Sequence, residues 1–135
     1  MKNEESRIAE AIGGFLKVQY PNLIYRFDVA DLKLTMPQAI RNKKLQMKDR
    51  GYPDLFIAFV NKKYYGLFIE LKKDKAEVFK KNGELKRRIN KKTGKCHNQE
   101  QQEMLNRLNK LGYKAVYGFG LEDTISKIKE YLSNV

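Results

Sequence analysis

Two apolar segments, YPDLFIAFV (52–60) and YYGLFIELK (64–72), constrain the fold more than any other feature of this chain. Both are rich in aromatic and aliphatic residues and read as strands. Only Asn61-Lys62-Lys63 separates them, so they form an antiparallel hairpin. Directly opposed residues on such a hairpin share a face, and their numbers sum to a constant. With a three-residue loop Val60 faces Tyr64 and the constant is 124, which sets Asp54 opposite Glu70. Their Cβ atoms would then lie about 4.5–5.5 Å apart. A two- or four-residue loop would make the constant odd and send the two acids to opposite faces. Strand alternation puts Glu70 and Lys72 on one face and Leu67, Ile69 and Leu71 on the other.

Two acids and a lysine therefore converge at one end of a hairpin that is otherwise almost wholly apolar. Carboxylates so placed repel each other unless a cation lies between them. Oxygen ligands of this kind suit Mg²⁺, with Mn²⁺ as a substitute. Lys72, a compact point charge, is placed to orient or help deprotonate a water and to neutralise charge on a phosphate. An ordinary ion pair of Lys72 with Asp54 or with Glu70 would explain two of the three residues, but not all three together.

The rest of the chain supplies layers for this hairpin. Residues 4–19 predict a helix whose stripe is Ile8, Ala11, Ile12, Phe15 and Leu16, ended by Pro21-Asn22. Residues 23–34 read as extended, with a turn near Asp31. A short basic helix is expected over 37–47, with Thr35 as its cap and Pro37 in its first turn. A second amphipathic helix spans 98–111 and stops at Gly112 in the C′ position. A strand at 113–119 and a closing helix at 121–132 complete the order. That order predicts one α/β domain over residues 1–135, an α/β/α sandwich around a small mixed sheet.

Charge points to the partner. The chain has 28 Lys and Arg against 16 Asp and Glu, a net charge of +12. Residues 72–95 hold eleven bases and three acids, so this stretch alone carries +8. It reads as too polar and too basic to supply core, and a projecting loop or hairpin is expected, with Lys86, Arg87, Arg88, Lys91 and Lys92 as its nucleic-acid-binding residues. A second basic stretch, RNKKLQMKDR at 41–50, lies just before Asp54. A dense patch of one sign repels itself unless it meets a polyanion. A solvated basic surface is the plainer explanation, but clustering on both sides of one acidic pair favours nucleic acid. One cysteine and one histidine exclude an internal disulfide and fall short of a structural zinc set. The N-terminus MKNEESRIAE lacks a signal peptide's apolar stretch, which predicts that the chain stays in the compartment where it is made.

The stretch GYPDLFIAF…YYGLFIELKK resembles the PD…(D/E)XK signature in the form used by the VRR-NUC nucleases, especially small phage and prophage members. EQQEMLNRLNKLGYKAV looks like that family's downstream glutamine helix, so the likeness covers most of residues 5–132. What the resemblance implies is a restriction-endonuclease-like fold and Mg²⁺-dependent cleavage of DNA phosphodiesters. It makes Asp54 and Glu70 metal ligands, the Leu71 carbonyl a further ligand, and Lys72 the partner of the nucleophilic water. Small members of this kind are similar to Holliday-junction resolvases and act as homodimers, and their setting is the cytoplasm of a bacterial host. The contrasting expectation is a non-catalytic basic nucleic-acid-binding module on a nuclease fold.

Two further family positions fall within short choices. On a helical wheel with Met104 at 0°, the stripe Met104, Leu105, Leu108, Leu111 centres near 30°; Gln101 lies at about 60° and Gln102 at about 160°. Gln101 thus faces the sheet, although Asn98 and Gln101 also have the spacing of a capping box, and both roles stand side by side. For the N-terminal acid, Glu10 points to solvent, and Glu5 fits the family's Glu-x-x-Ile pattern with Ile8 better than Glu4 does. An acid near a helix N-terminus is also favourable without any catalytic role. His97 precedes the glutamine helix but reads as solvated, and Tyr64 and Tyr65 read as packing residues.

Overall fold

The computed structural model of the chain describes residues 4–28 and 34–135. Helix α1 (Glu4–Gln19) leads into strand β1 (Tyr25–Phe27), then helix α2 (Met36–Leu45) and strands β2 (Leu55–Ile57) and β3 (Leu67–Lys72). A single 3₁₀ turn (Lys75–Glu77) follows, and then α3 (His97–Lys110), β4 (Lys114–Phe119) and α4 (Gly120–Ser133). The expected turn near Asp31 lies outside the described residues.

The four strands make one mixed sheet in the order β1-β2-β3-β4. β1–β2 and β2–β3 are antiparallel, and β4 joins β3 in parallel after the crossover through α3. Leu55 pairs with Ile69, Phe56 with Phe68 and Ile57 with Leu67, so the hairpin constant is 124 as expected, although the expected three-residue loop with Val60 opposite Tyr64 is not what sets it. The paired stretches are shorter than the apolar runs, because residues 58–66 form the connection rather than extending the ladder. Within it the Asn61 side chain accepts hydrogen bonds from the backbone N–H of Lys63 (2.9 Å) and Tyr64 (2.8 Å), which fixes the turn.

Alternation sorts the sheet into two cores. Leu55, Ile57, Leu67, Ile69 and Leu71 face α1 and α4, where they meet Ile12, Leu16, Ile128 and Tyr131. Phe68, Ala115 and Tyr117 face α3 and pack on Met104, Leu105 and Leu108. Each fully buried aliphatic side chain contributes about 1.5–3 kcal/mol, so the two clusters together make β3 the fixed centre of the molecule. All six of its residues are buried. Ala11 and Leu111, expected on the apolar stripes of α1 and α3, are exposed instead. They sit at the margins of stripes that three or four larger neighbours already fill.

Residues 74–96 do supply core, contrary to the expectation from their charge. Val78 is fully buried in the α3-side cluster, with Phe79 and Leu85 packed against it. An isolated bridge pairs Phe79 with Leu85 and another pairs Ile89 with Cys96. The segment is a hairpin-like excursion pinned by a few apolar residues, and its lysines and arginines project outward. The abundance of charge conceals the anchor in the sequence. Among the described residues, no helix is long and apolar enough to cross a membrane.

Candidate active site

The ladder between β2 and β3 stops one step short of Asp54, and the reason is chemical. Asp54 Oδ2 accepts the Leu71 backbone N–H at 2.8 Å, so a side chain takes the place of a ladder bond. The Asp54 backbone carbonyl in turn accepts the Asp28 N–H at 2.7 Å, which extends the β1–β2 register to the same point. Asp54 and Glu70 are therefore the next opposed pair on the face that carries Phe56 and Phe68, while Leu71 packs on the reverse face.

Gly51 sets the approach to this pair. Its φ is +92°, and a Cβ there would lie 2.7 Å from the Glu100 carbonyl oxygen and 3.0 Å from the Gln101 Cα. Only glycine combines that left-handed backbone with so close an approach. The loop before Asp54 thereby rests directly on the first turn of α3, which aims Gln101 at β3.

Gln101 is buried, and its Nε2 donates to Glu70 Oε1. The same nitrogen lies 3.0 Å from His97 Nε2, a contact in which the imidazole nitrogen accepts. The capping-box role is overturned. Cys96 is the N-cap residue of α3 and makes no side-chain cap bond, and Asn98 Nδ2 instead donates to the carbonyls of Lys86 (2.9 Å) and Glu77 (3.2 Å). Gln102 bonds Asn106 along the outer side of the helix, away from the carboxylates. Exposed His97, which reads as solvated, touches the site through Gln101.

The electrostatics are those of a crowded acidic pair. Burial, and then the charge of Asp54, push the Glu70 carboxyl far above the usual carboxylate range. Burial also raises Asp54, although the Leu71 N–H and the Lys72 charge pull it back. Lys72 is buried beside them and belongs to none of the ion pairs within 4.0 Å among the described residues. It acts on both carboxyls through the field rather than by direct pairing. Glu5, half-buried in the first turn of α1, is raised to about 7 by burial and by a hydrogen bond to the Glu77 carboxyl. It feels the charges of Lys72 and Asp54 as well, so α1 delivers it to the same cluster.

Two buried oxygens here, Glu70 Oε2 and Gln101 Oε1, have no hydrogen-bond partner. Unmatched buried acceptors beside two carboxyls held above their ordinary range are what a divalent cation would relieve. Among the described residues no group of three or more His, Cys, Asp or Glu is arranged to hold a metal. The two carboxylates and the Leu71 carbonyl form a smaller set, and Mg²⁺ commonly completes such a set with water. The residues present fit the ion.

The five bases expected from the sequence to bind nucleic acid lie elsewhere. Lys86, Arg87, Arg88, Lys91 and Lys92 are all exposed on the excursion between β3 and α3. Lys95, at its end, lines the groove that opens over Asp54 and Glu70. Tyr64 packs, as expected, whereas Tyr65 is 65% exposed, contrary to that reading. Tyr64 lies against Tyr131, and Tyr65 closes on Gly112, where a Cβ would come within 2.6 Å of its ring.

Superposition on solved structures matches the whole of this chain to 93% of a protein described as "VRR_NUC domain protein", with a TM-score of 0.66 and 24% sequence identity. The chain has the VRR_NUC fold. No protein-family model matches the sequence, and no curated protein matches it. In this chain the helix that carries Gln101, the mixed sheet and the acidic hairpin end form one unit. Tyr52 is absent from the set that the sequence singles out, yet it lines the same groove two residues before Asp54. Its parity with Asp54 along the chain is the signal that would have found it.

Proposed function

We propose that this chain is a VRR-NUC nuclease that hydrolyses DNA phosphodiester bonds with the help of Mg²⁺ or Mn²⁺. The observation that supports this reading above the others is the buried, mutually repelling pair Asp54–Glu70 with Lys72 and Gln101 converging on it. Asp54, Glu70 and the Leu71 carbonyl would hold the ion, which supplies Lewis-acid stabilisation of phosphate charge and acidifies a bound water. Gln101 fixes the Glu70 carboxylate through its amide N–H. Lys72 holds positive charge where an attacking water and a phosphate oxygen would meet. Glu5, close to half-protonated near neutral pH, can accept a proton at the edge of the cluster. The exposed bases of the 72–95 segment and of 41–50 grip the backbone without reading sequence.

The same reading extends to branched DNA as the substrate, to a two-fold dimer whose two sites address two strands, and to action in the bacterial cytoplasm. The test is nicking of supercoiled plasmid with Mg²⁺ and with EDTA, using wild type, Asp54→Asn and Glu70→Gln. Wild type should nick only with the metal, and either substitution should abolish nicking while DNA binding stays similar or tightens. Near-normal metal-dependent turnover in either variant would refute the assignment. Binding without any cleavage by wild type would leave a non-catalytic module on this fold.

A further inference from the structure

Asp54 and Glu70 occupy only part of an open groove of about 2310 Å³. That is more than twice the upper range of roughly 1,000 Å³ for a small-molecule site, so a polymer is the occupant to consider. The two walls differ in charge. One is α2 with the segment that follows it, which contributes Arg41, Lys43, Lys48 and Arg50, and residues 34–48 contain no acid at all. Asp49, the acid between these bases, is engaged by Arg107 at 2.8 Å. The other wall is α1, which contributes Glu5 and Glu10 as well as Lys17.

Beside the carboxylates stands Tyr52. It is 47% exposed, although it lies immediately between Gly51 and the buried Pro53. Phe68 holds its ring edge to face, with centroids 5.8 Å apart at 88°, and the remainder of the ring is open to the groove. A positively charged track with an aromatic platform is the arrangement that binds unpaired strands, because every base has a face to stack.

We infer that this groove takes an unpaired nucleic-acid strand, with its phosphates along the α2 wall and one base stacked on Tyr52 beside Asp54 and Glu70. In an intact duplex both faces of each base are covered by neighbours, so a ring at this position has nothing to stack on. Frayed, flapped or branched DNA supplies such a base at the point of scission. The inference rests on the nuclease reading and adds to it what the site selects.

The chain contains no tryptophan, so Tyr52→Trp introduces a single fluorophore at the platform. In EDTA, a short oligothymidylate should quench its emission strongly and saturably, and a blunt duplex of equal length should not. Cleavage completes the test. With Mg²⁺, Tyr52→Ala should reduce the preference for a flapped over a blunt duplex roughly tenfold, in line with about 1–3 kcal/mol per stacked base. Tyr52→Phe should retain the preference, and equal melting temperatures would show that Phe68 is still covered. Equal quenching by both nucleic acids, or binding without quenching, overturns the inference. So does wild-type cleavage with no preference dependent on Tyr52, and that outcome leaves the nuclease intact. Selective quenching with no cleavage of any substrate sustains the strand path and removes the nuclease.

Discussion

Glu70 is held by three residues of different origin: Asp54 across the hairpin, Gln101 from α3 and Lys72 two positions along its own strand. Without a cation its carboxylate is destabilised by burial first and by Asp54 second. A carboxyl whose folded value is raised contributes stability that is present at low pH and is lost as pH rises through that folded value. Glu70→Gln cannot titrate and still accepts the Gln101 amide, so in EDTA it should be more stable than wild type at alkaline pH by about 1–3 kcal/mol, at about 1.4 kcal/mol for each tenfold change in proton affinity. The gap should close as pH falls toward the ordinary carboxylate range. Mg²⁺ should raise the wild-type melting temperature and leave that of the variant unchanged. Thermal melts across pH with and without the metal check both, and a gap that widens toward low pH would contradict the account. Gly51→Ala acts on the same site from outside. A methyl group 2.7 Å from the Glu100 carbonyl must push α3 away, costing about 1–3 kcal/mol and moving Gln101 off Glu70. Its nicking rate should fall at least tenfold even where the protein remains folded, which a melt and a nicking assay on the same sample would show. At this scale the sequence was informative wherever geometry could be counted. The opposition of Asp54 and Glu70 followed from the hairpin register, even though the loop itself differs, and Gln101 over Gln102 followed from a helical wheel. Tyr52 did not emerge, because its parity with Asp54 was outweighed by the reading of a strand aromatic as packing, which only its exposure corrects.

Among the elements, α2 is the one that no core explains. It buries none of its ten residues, and Met36 and Ile40 are largely exposed. Its helicity rests on local chemistry: Thr35 Oγ1 accepts the Gln38 N–H, and the Thr35 N–H donates to Gln38 Oε1 at 2.9 Å. A helix of this length is marginal alone, so a cap worth about 1 kcal/mol decides whether it forms. Thr35→Ala with Gln38→Ala should abolish amide-exchange protection over 36–45 and leave the global melting temperature within about a degree. A drop of many degrees would mean that α2 is braced by packing after all. Thr35 as the cap and Pro37 in the first turn made this helix legible, just as apolar stripes did for α1 and α3. The excursion at 74–96 was harder to read. Its three anchors, Val78, Phe79 and Leu85, have neither a period of two nor one of 3.6, and only the coordinates show them folded under α3.

For the molecule as a whole, charge and chemistry occupy different regions. The acidic pair sits at the buried end of β3, while Lys86, Arg87, Arg88, Lys91 and Lys92 lie exposed on the excursion. Removing the five charges together should leave the fold intact, since exposed charge changes rarely exceed about 0.5 kcal/mol each. Binding should weaken by a similar factor for every DNA sequence, because phosphate contacts carry no sequence information. If each base neutralises one phosphate of a duplex, the slope of log K against log salt should flatten by about 0.9 per lost contact, or about 4.5 for all five. On the proposed function the excursion would bind DNA away from the carboxylates, so lost cleavage should return at low salt or high protein concentration, where binding is restored. Asp54→Asn should show no such recovery, since its defect lies in the step after binding. Filter binding across a salt series and nicking at saturating protein separate the two. An unchanged slope in the five-fold variant would make the excursion a solvated surface, and the grip on DNA would then fall to the α2 wall of the groove.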